Sequence, residues 1–489
     1  MLAHLLQESG TAGLTAGPTD VEIQNITADS REVNTRSLFV ALRGQTVEGH
    51  DSIASAIERG AGAVVAETPA PADRPADLAW VQVDNTSASL GVLADAYNGH
   101  PSRSLKVLAV TGTNGKTTVT WLLDHILRET GHRPGLLGTV ETRIGDTRRT
   151  ANYTTPLAHE LHALLGEMRD VGCSHALMEA SSHGLHQERM AGANIAVGGY
   201  TNLSRDHIDY HGSMEAYGAA KARLFDDRCA AACFHIGDVT GAQLAEAYQG
   251  RKLTVALDNA AADLNATELQ CDLSGAHCVV KGPKGTVSLS LPMLGRHNVE
   301  NALVAMGMAV LAGVGLEESA AALSTAKGAP GRLERVEGAG VPVAVDYAHT
   351  PDALTNVLTA LKPLVPGRLI CVFGAGGDRD RGKRPEMGRA VADGADLAVV
   401  TSDNPRSEDP DAIIQEILAG LPEGSPHHVE ADRRAAIEWA IQRGTHEDLV
   451  LVAGKGHEPY QEIEGERHPF DDRLIAQELL KRLAGEGVS

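Results

Sequence analysis

An α/β protein of three domains is what this sequence predicts, and three observations carry that expectation. A chain of 489 residues exceeds what one hydrophobic core supports. Residues 105–131 read as a buried strand, a glycine-rich turn and an amphipathic helix in direct succession, a P-loop-like arrangement. From residue 335 onward, short apolar runs alternate with helical patterns, which is the mark of a Rossmann-like, doubly wound sheet. The expected divisions are residues 1–103, 104–330 and 331–489.

In the first division the apolar runs 37–42, 63–65 and 78–83 read as core segments, separated by polar, turn-forming stretches at 29–31 and 44–51. The second opens on the run 105–110, followed by Thr111, Gly112, Thr113, Asn114, Gly115, Lys116, Thr117 and Thr118. Val119, Leu122, Leu123, Ile126 and Leu127 then recur at helical spacing, and Gly131 supplies a stop. Strand, glycine turn and helix in that order gather backbone N–H groups and a helix N-terminus at one point, which binds phosphate. There Lys116 would reach the outer phosphates of a nucleotide and Thr117 would offer its hydroxyl to Mg2+. The general pattern wants a glycine where Val110 stands, so the loop is a shorter variant.

Further along, Leu161, Leu164, Leu165 and Met168 form a helical face, and 175–179 is a strand ending in Glu179. Ligands of open parallel sheets gather at strand C-termini, so Glu179 is placed like a residue of a metal or phosphate site. The strand 195–200 leads into a loop, 201–212, too rich in polar groups for a plain connection. The helix 214–225 carries Lys221, which by physics alone is a solvated charge. The apolar run 303–316 is too short to span a bilayer and reads as a core helix. Asn298, just before it, suits a helix cap.

The third division alternates 341–345, 353–361, 369–373, 387–392, 397–400, 413–418 and 449–452. Loops at 346–351, 376–384 and 402–406 follow strand ends. Residues 374–377 invite a dinucleotide reading, but Arg379 stands at the third fingerprint position and the reading is rejected. Asp409 and Pro410 suit a helix cap and first turn.

Composition narrows the function. Aromatics are 3% of the chain, so the cores should be aliphatic. A formal charge of -21 argues against coating nucleic acid or an anionic membrane. Six scattered cysteines and a start without a signal-peptide pattern fit a reducing cytoplasm. Cys229, Cys233 and His235 lie close enough to suggest a metal, but with no second ligand pair they read as small buried residues.

The loop 111–118 resembles that of the Mur ligases and of folylpolyglutamate synthases, which make amide bonds with ATP. The segments 179–185, 202–212, 217–225, 294–301, 403–406 and 454–458 look like successive Mur ligase motifs, so the resemblance spans about residues 29–472. It implies ATP on Gly112 to Thr118, with His297, Asn298 and Arg332 around adenine and ribose. It also implies Mg2+ held by Thr117, Glu179, His207 and a carbamylated Lys221, with Lys116, Lys221, His207 and Glu179 as the catalytic group. Carbamylation turns a cation into a carboxylate-like anion and needs a neutral amine, which burial favours.

By the same resemblance, a uridine nucleotide would sit on Ser30, Thr46 and His50 of the N-terminal domain. The muramoyl dipeptide would lie between Thr154, Thr155, Ser182, Gln187 and Arg189, although Tyr153 stands where relatives often carry Asn. The segment Asp403, Asn404, Pro405, Arg406 looks like the motif by which some Mur ligases recognise meso-diaminopimelate, with Arg379, Gly454 and Glu458 completing the pocket. Arginine's planar fork binds the distal carboxylate that lysine lacks. L-lysine would leave that arginine unpaired, at a cost of about 1–3 kcal/mol.

The resemblance thus implies a cytoplasmic, monomeric ligase adding meso-diaminopimelate to UDP-N-acetylmuramoyl-L-alanyl-D-glutamate through an acyl phosphate, with the third domain closing before chemistry. The alternatives are a folylpolyglutamate synthase-like ligase, a non-enzymatic or motor-type nucleotide-binding protein and, more narrowly, an L-lysine-adding Mur ligase.

Overall fold

The computed structural model describes residues 1–43, 48–226, 228–338 and 340–483, which form two compact units. The first comprises residues 1–256, 260–264 and 304–315, and the second 257–259, 265–303 and 316–483.

The first unit begins with a five-stranded sheet in the order Leu14–Ala16, Ala79–Gln82, Ala63–Ala66, Ser37–Val40, Asn25–Thr27, parallel except for Leu14–Ala16. Alternation along its strands supplies two cores. Leu38, Val40, Val65 and Val81 face one side with Leu2, Leu5, Leu90 and Leu93, while Phe39, Val64 and Trp80 face the other. Ala158, the first residue of the helix Ala158–Asp170, packs into the former. Beside it Asp95 is buried between His100 Nδ1 at 2.6 Å and His162 Nδ1 at 3.2 Å, and His162 Nε2 lies 2.8 Å from the carbonyl of Ala191.

The larger sheet of this unit runs Arg251–Leu257, Ala231–His235, Ile195–Tyr200, Lys106–Thr111, His175–Glu179, Pro134–Leu137, all parallel, and then the antiparallel hairpin Glu141–Ile144, Thr147–Thr150. Between their polar ends the central strands are apolar and buried, as strands covered on both faces are. The register sets Glu179 opposite Val110 and Tyr200 opposite Thr111, so three C-terminal strand ends meet at one edge. That edge receives the candidate site.

The second unit contains the antiparallel strands Leu264–Asp272 (all but its first residue), Gly275–Gly282 and Gly285–Leu291, and a six-stranded sheet. The sheet runs Glu334–Val336, Val343–Asp346, Leu449–Ala453, Leu369–Phe373, Leu397–Val400, His427–Val429, with only the first strand antiparallel. Helices Pro351–Leu361, Lys383–Gly394 and Pro410–Leu418 cover one face through Leu354, Met387 and Ile413. Arg433–Arg443 and Asp472–Leu483 cover the other through Ile437 and Leu479. Asp409 caps Pro410–Leu418, accepting from the N–H of Asp411.

One expected helix moves. In place of 303–316 the chain forms Arg296–Ala312, ends at Gly313 with φ +109°, and starts a new helix at Leu316. The positive φ at Gly313 is a conformation few other residues adopt, and it breaks an otherwise continuous apolar run. It also puts His297 and Asn298 inside the first turn rather than ahead of it. Asn298 is therefore no cap: its Nδ2 donates to the carbonyl of Leu294 at 2.8 Å.

Candidate functional site

The glycine loop closes on itself around Thr111. Gly112 has φ +144°, and a Cβ there would sit 1.8 Å from Thr201 Oγ1, so only glycine lets the two strand ends approach. Gly115, at φ +87°, is the N-cap of the helix Lys116–Glu129. Thr201 Oγ1 donates to the carbonyl of Asn114 at 2.6 Å, the Asn114 N–H donates to Asn202 Oδ1 at 3.1 Å, and Thr113 Oγ1 donates to the carbonyl of Ser204 at 3.2 Å. These bonds pin the loop to the segment after the neighbouring strand. Lys116 Nζ donates to the carbonyls of Gly112 at 2.9 Å and Thr113 at 2.8 Å, and Thr118 is buried in the first turn.

Glu179 is the hub. Its carboxylate accepts from Thr117 Oγ1 at 2.9 Å, from the Thr139 N–H at 2.8 Å and from Thr139 Oγ1 at 3.2 Å. Thr139 Oγ1 is also 3.1 Å from Thr154 Oγ1, and Thr155 Oγ1 donates to the backbone carbonyl of Glu179 at 2.7 Å. Thus Thr154 and Thr155, the Lys116–Glu129 helix and the strand end of Glu179 share one network. At Gly138 a Cβ would stand 2.5 Å from Glu179 Oε1, so any side chain there would push the carboxylate from its place. Thr139 escaped sequence reading, although its place two residues past the end of the strand Pro134–Leu137 was the signal that could have found it.

Lys221 overturns the expectation of a solvated charge. It is 1% exposed, its Nζ lies 4.3 Å from the centre of the Tyr217 ring, and it donates to the carbonyl of Gly112 at 2.7 Å. Burial, reinforced by the positive charge of Lys116, pushes its pKa down to about 6, so the amine is largely neutral at pH 7. A neutral, buried amine is the form that reacts with CO2. Thr117 Oγ1 and the Glu179 carboxylate are hard oxygens in contact, a donor pair that suits Mg2+. Among the described residues no three His, Cys, Asp or Glu side chains converge on one point. His207 is half exposed at φ +52°, with its ring edge-on to His183 at 4.8 Å. Cys229 and Cys233 are buried, and His235 lies 3.0 Å from the carbonyl of Thr201, which leaves that trio structural.

Around Thr155, Arg189 donates to its carbonyl at 2.8 Å and to Gln187 Oε1 at 2.7 and 2.9 Å. Gln187 Nε2 in turn donates to the Tyr210 hydroxyl at 3.1 Å. Tyr153 lies 5.3 Å from the guanidinium of Arg189, so the residue at the unusual position stacks on the arginine. Ser182 Oγ is buried without a hydrogen-bond partner among the described residues. In the N-terminal sheet, Ser30 opens the turn Ser30–Glu32, and His50 is fixed between Glu48 at 2.7 Å and the N–H of Glu67 at 3.1 Å. Thr46 lies outside the described residues.

In the second unit a cavity of about 610 Å³ opens at the ends of the parallel strands. Arg379, Asp403, Asn404, Arg406, Gly454 and Glu458 all line it, and Pro405 joins Asn404 to Arg406. Arg406, at φ +52°, donates from Nη1 to the carbonyl of Gly377 at 2.7 Å, and its Nε is 3.4 Å from Glu462. Among the described residues Asp403 Oδ2 has no hydrogen-bond partner. It lies 3.8 Å from the buried guanidinium of Arg433 and 2.5 Å from where a Cβ on Gly454 would stand. Arg384, 1% exposed, holds Glu408 and Glu416 and was not anticipated. Elsewhere in the unit, Arg332 lies 4.9 Å from the Tyr347 ring, and burial pushes the His297 pKa down.

Comparison with known proteins matches three family models. They are the Mur ligase family catalytic domain over residues 22–98, the Mur ligase middle domain over 110–309, and the Mur ligase glutamate ligase domain over 331–456. The UDP-N-acetylmuramoyl-L-alanyl-D-glutamate–2,6-diaminopimelate ligase of Parasynechococcus marenigrum is 44% identical, over 98% of this chain and 99% of its own. The protein of that name in Xylella fastidiosa (strain Temecula1) is 42% identical over 96% of each chain. A solved structure titled as the same ligase superposes with a TM-score of 0.74 at 35% identity, covering 98% and 99% of the two chains. At 22% identity and a TM-score of 0.61, the D-alanyl-D-alanyl-adding ligase of Acinetobacter baumannii shares the fold.

Proposed function

The chain belongs to the Mur ligase family, and from that premise we propose that it is the ATP-dependent ligase that joins meso-diaminopimelate to UDP-N-acetylmuramoyl-L-alanyl-D-glutamate, a step in making peptidoglycan precursors. The observation that carries this reading is the 610 Å³ cavity, where Arg379 and Arg406 stand on the same wall set as Asp403 and Glu458. Such a mixture suits a zwitterion with a second carboxylate better than an apolar or singly charged amino acid.

Family membership implies the chemistry, and the residues are suited to it. The D-glutamate carboxylate attacks the γ-phosphorus of ATP, ADP leaves, and an acyl phosphate forms. The amine of diaminopimelate attacks the acyl carbon, a tetrahedral intermediate collapses, and phosphate departs as the amide forms. The loop N–H groups and Lys116 hold the phosphates and offset charge in the phosphoryl transfer, which is the main electrostatic task of such a step. Lys116 would exchange its two loop carbonyls for phosphate oxygens. Thr117, Glu179, His207 and a carbamylated Lys221 would hold Mg2+, which supplies Lewis-acid charge at the phosphates. Arg189, set by Gln187 and Tyr153, would meet the acceptor dipeptide. His297, Asn298 and Arg332 would meet adenine and ribose, and Ser30 and His50 the uridine nucleotide. Domain limits at 103/104 and 330/331 accompany this reading.

The test is ADP release with UDP-N-acetylmuramoyl-L-alanyl-D-glutamate and ATP, with meso-diaminopimelate or L-lysine added in parallel. Release with diaminopimelate alone is expected. Equal rates with lysine would overturn the specificity, and no release with either would overturn the reaction.

A further inference from the structure

Lys455 lies just past the end of the strand Leu449–Ala453 and is 1% exposed. A buried ammonium persists only where it is paired. Its Nζ donates to Asn404 Oδ1 at 2.8 Å, and it stands 3.7 Å from Glu458 and 5.7 Å from the Tyr460 ring centre. The same Oδ1 accepts the backbone N–H of Glu462 at 2.9 Å, while Asn404 Nδ2 donates to Glu458 Oε2 at 3.0 Å.

Two donors converging on one atom decide what a side-chain amide otherwise leaves open, namely which end is oxygen. Reversed, the amide would set its N–H2 against an ammonium and a backbone N–H, and its oxygen against the Glu458 carboxylate. All three contacts would turn repulsive. In the orientation held, one N–H of Asn404 serves Glu458, and the second remains as a donor at a residue that lines the cavity.

We infer that Lys455 is a positioning residue that locks the amide of Asn404, so that the cavity offers the amino-acid substrate an N–H donor, suited to carboxylate, rather than a carbonyl acceptor. The inference rests on reading that cavity as the diaminopimelate site. A lysine present only for packing or charge balance would have no need of the amide oxygen.

The experiment compares Lys455→Met, Lys455→Arg, Asn404→Asp and the double variant Lys455→Met/Asn404→Asp with the unaltered enzyme, varying meso-diaminopimelate, ATP and UDP-N-acetylmuramoyl-L-alanyl-D-glutamate in turn. Lys455→Met should raise the KM for diaminopimelate at least tenfold and leave the other two within twofold. Its Tm should not fall, because the group removed was desolvated. Lys455→Arg, which restores a donor, should recover most of the loss. Asn404→Asp, which keeps the oxygen facing Lys455 but removes the N–H2, should raise the same KM at least as far as Lys455→Met, and the double variant should be no worse than Asn404→Asp alone, since Lys455 then has no amide left to orient. An unmoved KM in Lys455→Met, or a fall in kcat shared by all substrates together with a lower Tm, would overturn the inference. Additive losses in the double variant would also overturn it. Failure of the unaltered enzyme to release ADP with diaminopimelate would overturn the reading of the cavity itself, before any variant is compared.

Discussion

Replacing Arg406 by lysine tests the amino-acid site most directly, because the charge stays and only the fork is lost. An arginine side chain carries five N–H donors. Its Nη1 contact with Gly377 at 2.7 Å and its Nε approach to Glu462 at 3.4 Å engage two of them, leaving three for a ligand in the cavity it lines. The backbone is unaffected: φ is +52°, equally costly for arginine and lysine, and the N–H and carbonyl remain bonded to Glu462 and Glu464 at 3.0 and 2.7 Å. What lysine cannot supply is the second parallel bond to a carboxylate, and losing one charge-assisted hydrogen bond costs about 1.5–3 kcal/mol. That corresponds to a roughly 10- to 150-fold rise in the KM for meso-diaminopimelate. Steady-state ADP release, with the other substrates saturating, reads this directly. The KM for ATP should stay within about twofold of the original. A KM for diaminopimelate that stays put, or one that rises together with that for ATP, would refute the argument.

Other outcomes follow from the same geometry. Gly112→Ala should abolish binding of a non-hydrolysable ATP analogue in calorimetry and lower the Tm, because its Cβ would fall 1.8 Å from Thr201 Oγ1 at a φ of +144°. Thr117→Val keeps the side-chain shape but removes the hydroxyl held to Glu179. Its apparent Mg2+ requirement for ADP release should rise about tenfold or more, with far-ultraviolet dichroism unchanged. His175 and His457 are both held down to about 4 against an ordinary 6.5, chiefly by burial and then by nearby positive charge. The unfolded chain therefore takes up protons that the folded one refuses, so stability is full above pH 6.5 and falls as the pH drops toward 4, by up to about 3 kcal/mol per histidine. Urea midpoints at pH 7 and 4.5 measure this, and His175→Gln should flatten the difference.

Much of the second sheet was legible because its strands are buried on both faces and read as unbroken apolar runs: Leu369–Phe373 and Leu397–Val400 fall where their residues predict. The hairpin Tyr460–Ile463, Glu466–Pro469 was not, since one of its strands is exposed throughout and charged, with no alternation to betray it. In the site, the strand, loop and helix of residues 106–129 announced themselves, whereas the contact of Thr139 with Glu179 joins residues 40 apart. Lys221 shows the limit most plainly. A lysine among alanines carries no local sign of burial, and only Tyr217, one helical turn earlier on the same face, hinted that this face is turned inward.

The carboxylate of Asp95, wedged between His100 and the His162 ring of the helix Ala158–Asp170, bears on how the gene could be recombined. The expected domain limit at 103/104 would be a natural place for a crossover between related ligases. Here such a junction would separate Asp95 from His162 and part Ala158 from the apolar cluster of Leu90 and Leu93. A chimera that respects the molecule must inherit residues 86–104 and 158–170 from the same parent.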